Sequence, residues 1–391
     1  MKIAIPKPTS EGETRVALIP ESVAKLTKAG LEVLVQAGAG RPASYADADY
    51  EKSGARVVTD AEALYGEADA VALVHPPGEA DIAHLRSGTI LISVLNPLVR
   101  HDLVGTLADR GVCAISLDLV PRITRAQAMD VLSSMSSIAG YKAVVLAAAT
   151  LGRIFPMMMT AAGTIKPARV LILGAGVAGL QAIATAKRLG AVVEAFDVRP
   201  VVKEQVESLG ARFVIVEAPA EDAQDKGGYA KEMSEAYKQK QKETIHQHVK
   251  ECDVAISTAL IPGKPAPKLI TAEMVRDMRL GSVIVDLASE AGGNCELTRP
   301  GENVVDNGVT IMGPKNLPAS VPYHSSQMFS RNLTAFLLNM TKDGRIEFNM
   351  EDEIVRDTLV TRDGQVVNAR VRQGMGLAAL EVRPPEPVGA A

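Results

Sequence analysis

The sequence predicts an α/β protein built from two doubly wound domains, the first discontinuous, with a cleft between them. Three observations lead there. Short β-rich segments alternate with segments of helical period along most of the chain, the pattern of a parallel sheet. The packing residues are aliphatic: hydrophobic residues make up 47% of 391, aromatics only 3%, and Trp is absent. Strands buried on both faces use such residues. Finally, a long apolar helical stretch at 133–152 separates two α/β series.

In the first series KIAIP (2–6), LEVLVQA (31–37), AVALV (70–74), TILISVL (89–95) and GVCAISLD (111–118) read as strands. ESVAKLTKAG (21–30), EADIAHLRSG (79–88) and RHDLVGTLADRG (100–111) read as helices that end at Gly. The 133–152 helix is expected to connect the domains. In the second series ARVLILGAG (168–176), AVVEAFDV (191–198), ARFVIVE (211–217), DVAIST (253–258), SVIVDLA (282–288) and GVTIMG (308–313) read as strands. SSQMFSRNLTAFLLNM (325–340) is a helix expected to return the chain to the first domain. The expected boundaries are 1–133 plus 325–391, and 134–324. The Pro-rich end EVRPPEPVGAA is expected to fray.

Composition excludes several functions. The formal net charge is −4 and no basic run suits nucleic acid. Cys113, Cys252 and Cys295 are scattered and odd in number, which suggests neither a disulfide framework nor a zinc knuckle. MKIAIPKPTS lacks the apolar run of a signal peptide. AVVLAAATLG (143–152), between Lys142 and Arg153, falls short of the ~20 apolar residues of a spanning helix, so no direct membrane insertion is expected. His246 and His248, two apart, face different sides of a helix and are not expected to share a metal. Met157, Met158 and Met159 are expected to pack at the domain junction, and Cys113 in the core.

The strongest motif is ARVLILGAGVAG at 168–179. Gly174, Gly176 and Gly179 form G-x-G-x-x-G directly after a strand and at the start of a helix. The first glycine allows the tight turn, the second lets a pyrophosphate approach the backbone, and the third lets helix and strand pack closely. Asp197 ends the next strand, where an acid accepts hydrogen bonds from a ribose. This is a Rossmann-like dinucleotide fingerprint. It favours NAD over NADP, with Arg199 a complication because a nearby Arg can accept the 2′-phosphate. The second domain is therefore expected to bind NAD(H).

PRITRAQAMD at 121–130 follows the strand-like SLDLV and precedes the long helix. From the residues alone it reads either as a surface turn with an ion pair or as a loop gripping a polar ligand. GGYAKEM (227–233) reads either as a surface loop or as a lid.

With these strings in view, the chain resembles the NAD(H)-binding component, domain I, of proton-translocating nicotinamide nucleotide transhydrogenase. PKPTSEGETRVALIPE (6–21), RITRAQAMDVLSSMSSIAGYKAV (122–144), the 155–200 segment, TALIPGKPAPKLIT (258–271) and DLASEAGGNCELT (286–298) carry the likeness over nearly the whole chain. The resemblance implies direct hydride transfer between NADH here and NADP(H) on a partner component. It also implies a membrane-spanning component that couples transfer to proton movement, a homodimer, and a cytoplasmic location peripheral to the inner face of the cell membrane. It assigns Arg122, Gln127, Asp130 and Ser133 to the nicotinamide and its ribose. Gly174, Gly176, Val177, Gly179, Asp197, Val198, Arg199, Gly228, Tyr229 and Leu260 are the expected cofactor-binding set. Arg125 has no matching role and is read as structural.

The alternative is the related alanine dehydrogenase. That chemistry is similar to an amine oxidation needing a lysine near 73–77 and a histidine near 93–98; this chain has His75 and Asn96 there. A non-catalytic NAD-binding module is the third reading.

Overall fold

A computed structural model gives the structure of the chain and describes residues 1–216, 234–261 and 264–380. These residues form two compact units, Met1–Leu132 with the segment from Pro322 onward, and Ser133–Val321. The expected lid at 227–233, with Gly228 and Tyr229, and the expected frayed end 381–391 lie outside the described residues.

The first unit opens with β1 (Lys2–Ile5), α1 (Pro20–Lys28), β2 (Glu32–Gln36), α2 (Asp47–Lys52), β3 (Arg56–Val58), α3 (Ala61–Glu67), β4 (Ala70–Ala72), α4 (Glu79–His84), β5 (Ile90–Ser93), α5 (His101–Asp109) and β6 (Cys113–Ser116). Local chemistry explains the elements. In α1, Pro20 starts the helix, Glu21 lies in the first turn, Lys25 and Lys28 in the last, and Ser22, Val23 and Leu26 turn inward. The sequence reading lacks α2, β3 and α3. Three residues of β3 show no period, and the six of α2 bury only Tyr50.

α6 (Val131–Thr150) leads into the second unit. It has 20 residues and mean hydropathy 1.4, long and apolar enough by those measures to cross a membrane. Here Ala143, Val144 and Ala147 are buried in the core of the second unit. A Cβ on Gly140 would come 2.1 Å from the Ala178 carbonyl oxygen. Those are the contacts of a core helix.

β7 (Met158–Thr160) and β8 (Gly163–Ile165) make a hairpin whose residues are all exposed. This corrects one expectation: Met157 and Met159 are 60% and 74% exposed and do not pack within the described chain. In a two-stranded ribbon successive side chains point to opposite faces, and no second layer covers either.

The rest of the unit comprises β9 (Arg169–Leu173), α7 (Val177–Arg188), β10 (Val192–Phe196), α8 (Lys203–Ser208), β11 (Arg212–Phe213), α9 (Glu235–Glu251), β12 (Val254–Ser257), α10 (Ala272–Arg276), β13 (Val283–Asp286), β14 (Asn303–Asp306) and β15 (Val309–Met312). Its sheet runs β11-β10-β9-β12-β13-β15-β14. Only β14 is antiparallel. Side chains such as Val170, Ile172, Val254 and Ile256 fill one face with α6 and α7. Leu171, Leu173, Ala255 and Ile284 fill the other with α9 and α10.

The chain then returns through α11 (Pro322–Met340), β16 (Thr341–Lys342), β17 (Arg345–Ile346), α12 (Glu353–Thr358), β18 (Leu359–Arg362), β19 (Gln365–Val366) and α13 (Ala369–Gly374). The first sheet runs β19-β18-β6-β5-β4-β1-β2-β3. β18 pairs antiparallel with both β6 and β19, so this sheet is mixed at one edge.

Candidate functional site

In the second sheet the strand order reverses between β9 and β12, and α/β proteins bind ligands at the carboxyl ends of strands around such a switch point. β9 ends at Leu173, and the chain turns through 174–176 into α7. Gly174 has φ 102°, in the left-handed region. A Cβ there would stand 2.6 Å from Thr258 Oγ1. A Cβ on Gly179 would stand 1.8 Å from the Gly174 carbonyl oxygen. The first turn of α7 therefore lies this close to the strand end only because neither residue carries a side chain.

Gly176 differs. A Cβ there meets nothing within 4 Å, so open space adjoins the residue that caps α7. The first intrahelical bond runs from Leu180 N–H to the Gly176 carbonyl, 2.8 Å. The N–H groups of Val177, Ala178 and Gly179 precede it and lack an intrahelical acceptor. Together with the helix dipole they suit a pyrophosphate. Val177 is 42% exposed beside them. The residues present thus fit a dinucleotide.

Asp197 follows the end of β10, buried, and accepts a hydrogen bond from the Ala175 N–H at 2.8 Å. Arg199 grips it from two residues away, with Nε 2.9 Å from Oδ1 and Nη2 2.9 Å from Oδ2. Val198 between them is partly buried. Two supporting residues escape a reading of the sequence. Thr258 donates to the Gly174 carbonyl at 3.1 Å. Asn294, wholly buried, donates to the carbonyls of Ala259 and Pro267 and accepts from the Ala259 N–H, which fixes the segment that carries Leu260. Leu260 itself is 48% exposed. Both polar residues lie inside TALIPGKPAPKLIT and DLASEAGGNCELT, but nothing in those strings marks an internal pin.

The loop at 121–130 belongs to the first unit. Thr124–Met129 form a 3₁₀ turn with Ala126 and Met129 buried. Arg122 and Gln127 are exposed and Asp130 is partly buried. Ser133, in the second unit, sits near the start of α6 and its carbonyl accepts from Ser137 Oγ. Arg125 is structural, as expected from sequence: its guanidinium is bidentate on Asp352 and its Nη1 reaches Asn339 Oδ1 at 3.2 Å. Asn332 on α11 donates to the Ala128 carbonyl at 2.8 Å. The Arg125 hydrogen bonds hold the Asp352 carboxyl well below the usual range. Asp352 also caps α12 through the Ile354 N–H. Asp352→Ala is therefore expected to lower the melting temperature by about 3 °C, read by calorimetry. Unchanged melting would show that the clasp contributes nothing to stability.

Elsewhere the two histidines take separate carboxylates, His246 with Asp277 at 2.8 Å and His248 with Glu194 at 2.7 Å. Burial pushes the thiols of Cys113 and Cys252 up to about 12, which makes them unreactive core groups.

At the carboxyl ends of β1 and β4 in the first unit, Glu13, Arg15 and His75 line a small cavity. Arg15 Nε and Nη2 donate to Glu13 Oε1 and Oε2 at 2.8 and 2.7 Å, and His75 Nε2 lies 2.8 Å from Glu13 Oε2. The cavity measures about 20 Å³, room for one water. Asn96 is exposed in a left-handed turn at φ 52°.

Family models for the alanine dehydrogenase/PNT N-terminal and C-terminal domains match residues 4–139 and 143–369. The chain belongs to the alanine dehydrogenase/PNT family. The family is one of NAD-binding, Rossmann-like oxidoreductases. Among its curated relatives, an NAD(P) transhydrogenase subunit alpha chain of Rhodospirillum rubrum is 50% identical, covering 94% of this chain and 98% of that one. A transhydrogenase structure from Sinorhizobium meliloti superposes with a TM-score of 0.86 at 44% identity, covering 94% of this chain and 100% of that chain. Alanine dehydrogenase of Mycobacterium tuberculosis is more distant, 30% identical over 97% of this chain and 98% of that one.

Proposed function

We propose that this member of the alanine dehydrogenase/PNT family is the NAD(H)-binding component of a proton-translocating transhydrogenase. It holds NADH while NADP⁺ sits on a separate component, and hydride passes directly and stereospecifically between them. A membrane-spanning component couples the transfer to proton movement, and through these partners the chain works at the inner face of the cell membrane, as a homodimer.

One observation favours this reading over amino-acid oxidation. At the positions where that chemistry needs a lysine and a histidine, the chain has His75, drawn into the Glu13–Arg15 pair, and Asn96, in a tight turn. Transfer between two nicotinamides moves no proton at the reacting carbons and needs no general acid or base. It needs reacting atoms about 3–3.5 Å apart and aligned. NADH supplies the hydride; the chain supplies grip and orientation. The 174–179 turn takes the pyrophosphate and Asp197 the adenosine ribose. Arg122, Gln127, Asp130 and Ser133 orient the nicotinamide and its ribose.

The test uses NADH deuterated at either C4 position, with an NADP⁺ analogue and the NADP(H)-binding partner. One epimer passes its label to the analogue and the other retains it, and D₂O contributes none. Solvent deuterium in the product would contradict direct transfer. Gln127→Ala is expected to slow transfer about 30-fold while the NADH dissociation constant changes little, because misplacement costs rate rather than grip. Loss of affinity alone, read by NADH fluorescence, would make the loop a clamp and not an orienting element.

A further inference from the structure

Both oxygens of Asp197 are already filled by the chain itself. Oδ2 accepts from the Ala175 N–H at 2.8 Å and from Arg199 Nη2 at 2.9 Å. Oδ1 accepts from the Arg199 N–H at 2.9 Å and from Arg199 Nε at 2.9 Å. A carboxylate offers about four lone-pair sites, so a ribose hydroxyl approaching this one finds no acceptor. The two backbone donors are fixed by the turn and the strand end. The two guanidinium donors sit on a rotatable side chain that is 18% exposed, against 6% for the Asp197 side chain.

We propose that Arg199 is a latch on the adenosine-ribose pocket and sets its discrimination between NAD(H) and NADP(H). The proposal rests on the reading that the 174–199 turn holds NAD(H). An unphosphorylated ribose carries two adjacent hydroxyl donors, which replace Nε and Nη2 on the two carboxylate oxygens as the guanidinium swings out. A 2′-phosphorylated ribose has lost the 2′ donor and cannot complete the exchange. In front of it the latch stays shut, and the phosphate meets a paired carboxylate instead of a bare one. Arg199 therefore lowers affinity for NADH, because a well-made bidentate pair is opened on binding. It also softens the repulsion of NADPH, because it neutralises Asp197. Two opposite effects on two ligands come from one side chain, which a purely structural role does not produce.

The experiment measures NADH and NADPH dissociation constants by nucleotide fluorescence on the intact chain. It compares the wild type with Arg199→Ala and Arg199→Lys, each checked for wild-type helical content. Arg199→Ala is expected to bind NADH about tenfold tighter and NADPH about tenfold more weakly, since hydrogen bonds to charged groups differ by roughly that much. Arg199→Lys, whose ammonium cannot form the bidentate fork, is expected to fall between. Wild-type binding of NADH with an unchanged or weaker constant in Arg199→Ala overturns the latch alone. No NADH binding by the wild-type chain overturns the NAD(H) reading and the latch with it.

Discussion

Gly179→Val is expected to cost about 4 kcal/mol or more and to abolish NADH binding, because no rearrangement of side chains can absorb it. The obstacle is backbone: a Cβ at this position falls 1.8 Å from the Gly174 carbonyl oxygen. Relief means moving α7 off the end of β9. That movement carries the helix N-terminus away from the site and strips Ala182, Ile183 and Ala186 from the core. Gly176→Ala is the matched control. Nothing lies within 4 Å of its Cβ, so the fold should accept it at wild-type melting temperature. The added methyl then occupies the space expected to receive pyrophosphate, and NADH affinity should fall. A stable Gly179→Val chain that still binds NADH would contradict the close-packing account; a Gly176→Ala chain with full affinity would place the pyrophosphate elsewhere.

The second large effect lies in the first unit. Burial alone would raise the Glu13 carboxyl, but hydrogen bonds from Arg15 and His75 outweigh it and hold the group well below the usual carboxylate range. A depressed folded value means that ionised Glu13 stabilises the fold fully above its unfolded value, about 4.3. That contribution is lost as pH falls from there toward the folded value. Glu13→Gln should lose about 3–5 kcal/mol at pH 7, because it leaves the buried Arg15 charge unpaired. Its stability should also fall less between pH 4.5 and pH 3 than that of the wild type, as read by thermal melts across this range. An equally steep acid limb in the variant would show that other carboxylates govern it.

Much of the fold is legible from period and punctuation. KIAIP, LEVLVQA and ARVLILGAG are buried apolar runs of strand length, and the structure has strands in all three. Three hairpins carry a local signal that hydrophobic period does not reveal. Asn307-Gly308, Asp343-Gly344 and Asp363-Gly364 each adopt two successive positive φ values, the turn such dipeptides favour between strands. These turns join β14 to β15, β16 to β17, and β18 to β19 at the antiparallel edge of the first sheet. Met157–Met159 mislead because apolar composition says nothing about whether a second layer exists to cover a ribbon. In the site, the spacing of Gly174, Gly176 and Gly179 announces the turn. That Arg199 closes on Asp197 depends on rotamers at positions two apart, and Glu13–Arg15 on burial, neither of which a residue string records.

The central claim is that this chain is half of a hydride-transfer pair. Its most direct test mixes the purified chain with NADH and the acetylpyridine analogue of NADP⁺, with and without the NADP(H)-binding component. The account predicts reduction of the analogue only when both proteins are present, and no oxidation of NADH by pyruvate and ammonia. NADH oxidation by pyruvate and ammonia with the chain alone would contradict it and make the protein an amino-acid dehydrogenase. Failure to reduce the analogue beside a partner of verified competence would leave a nucleotide-binding protein without the proposed activity.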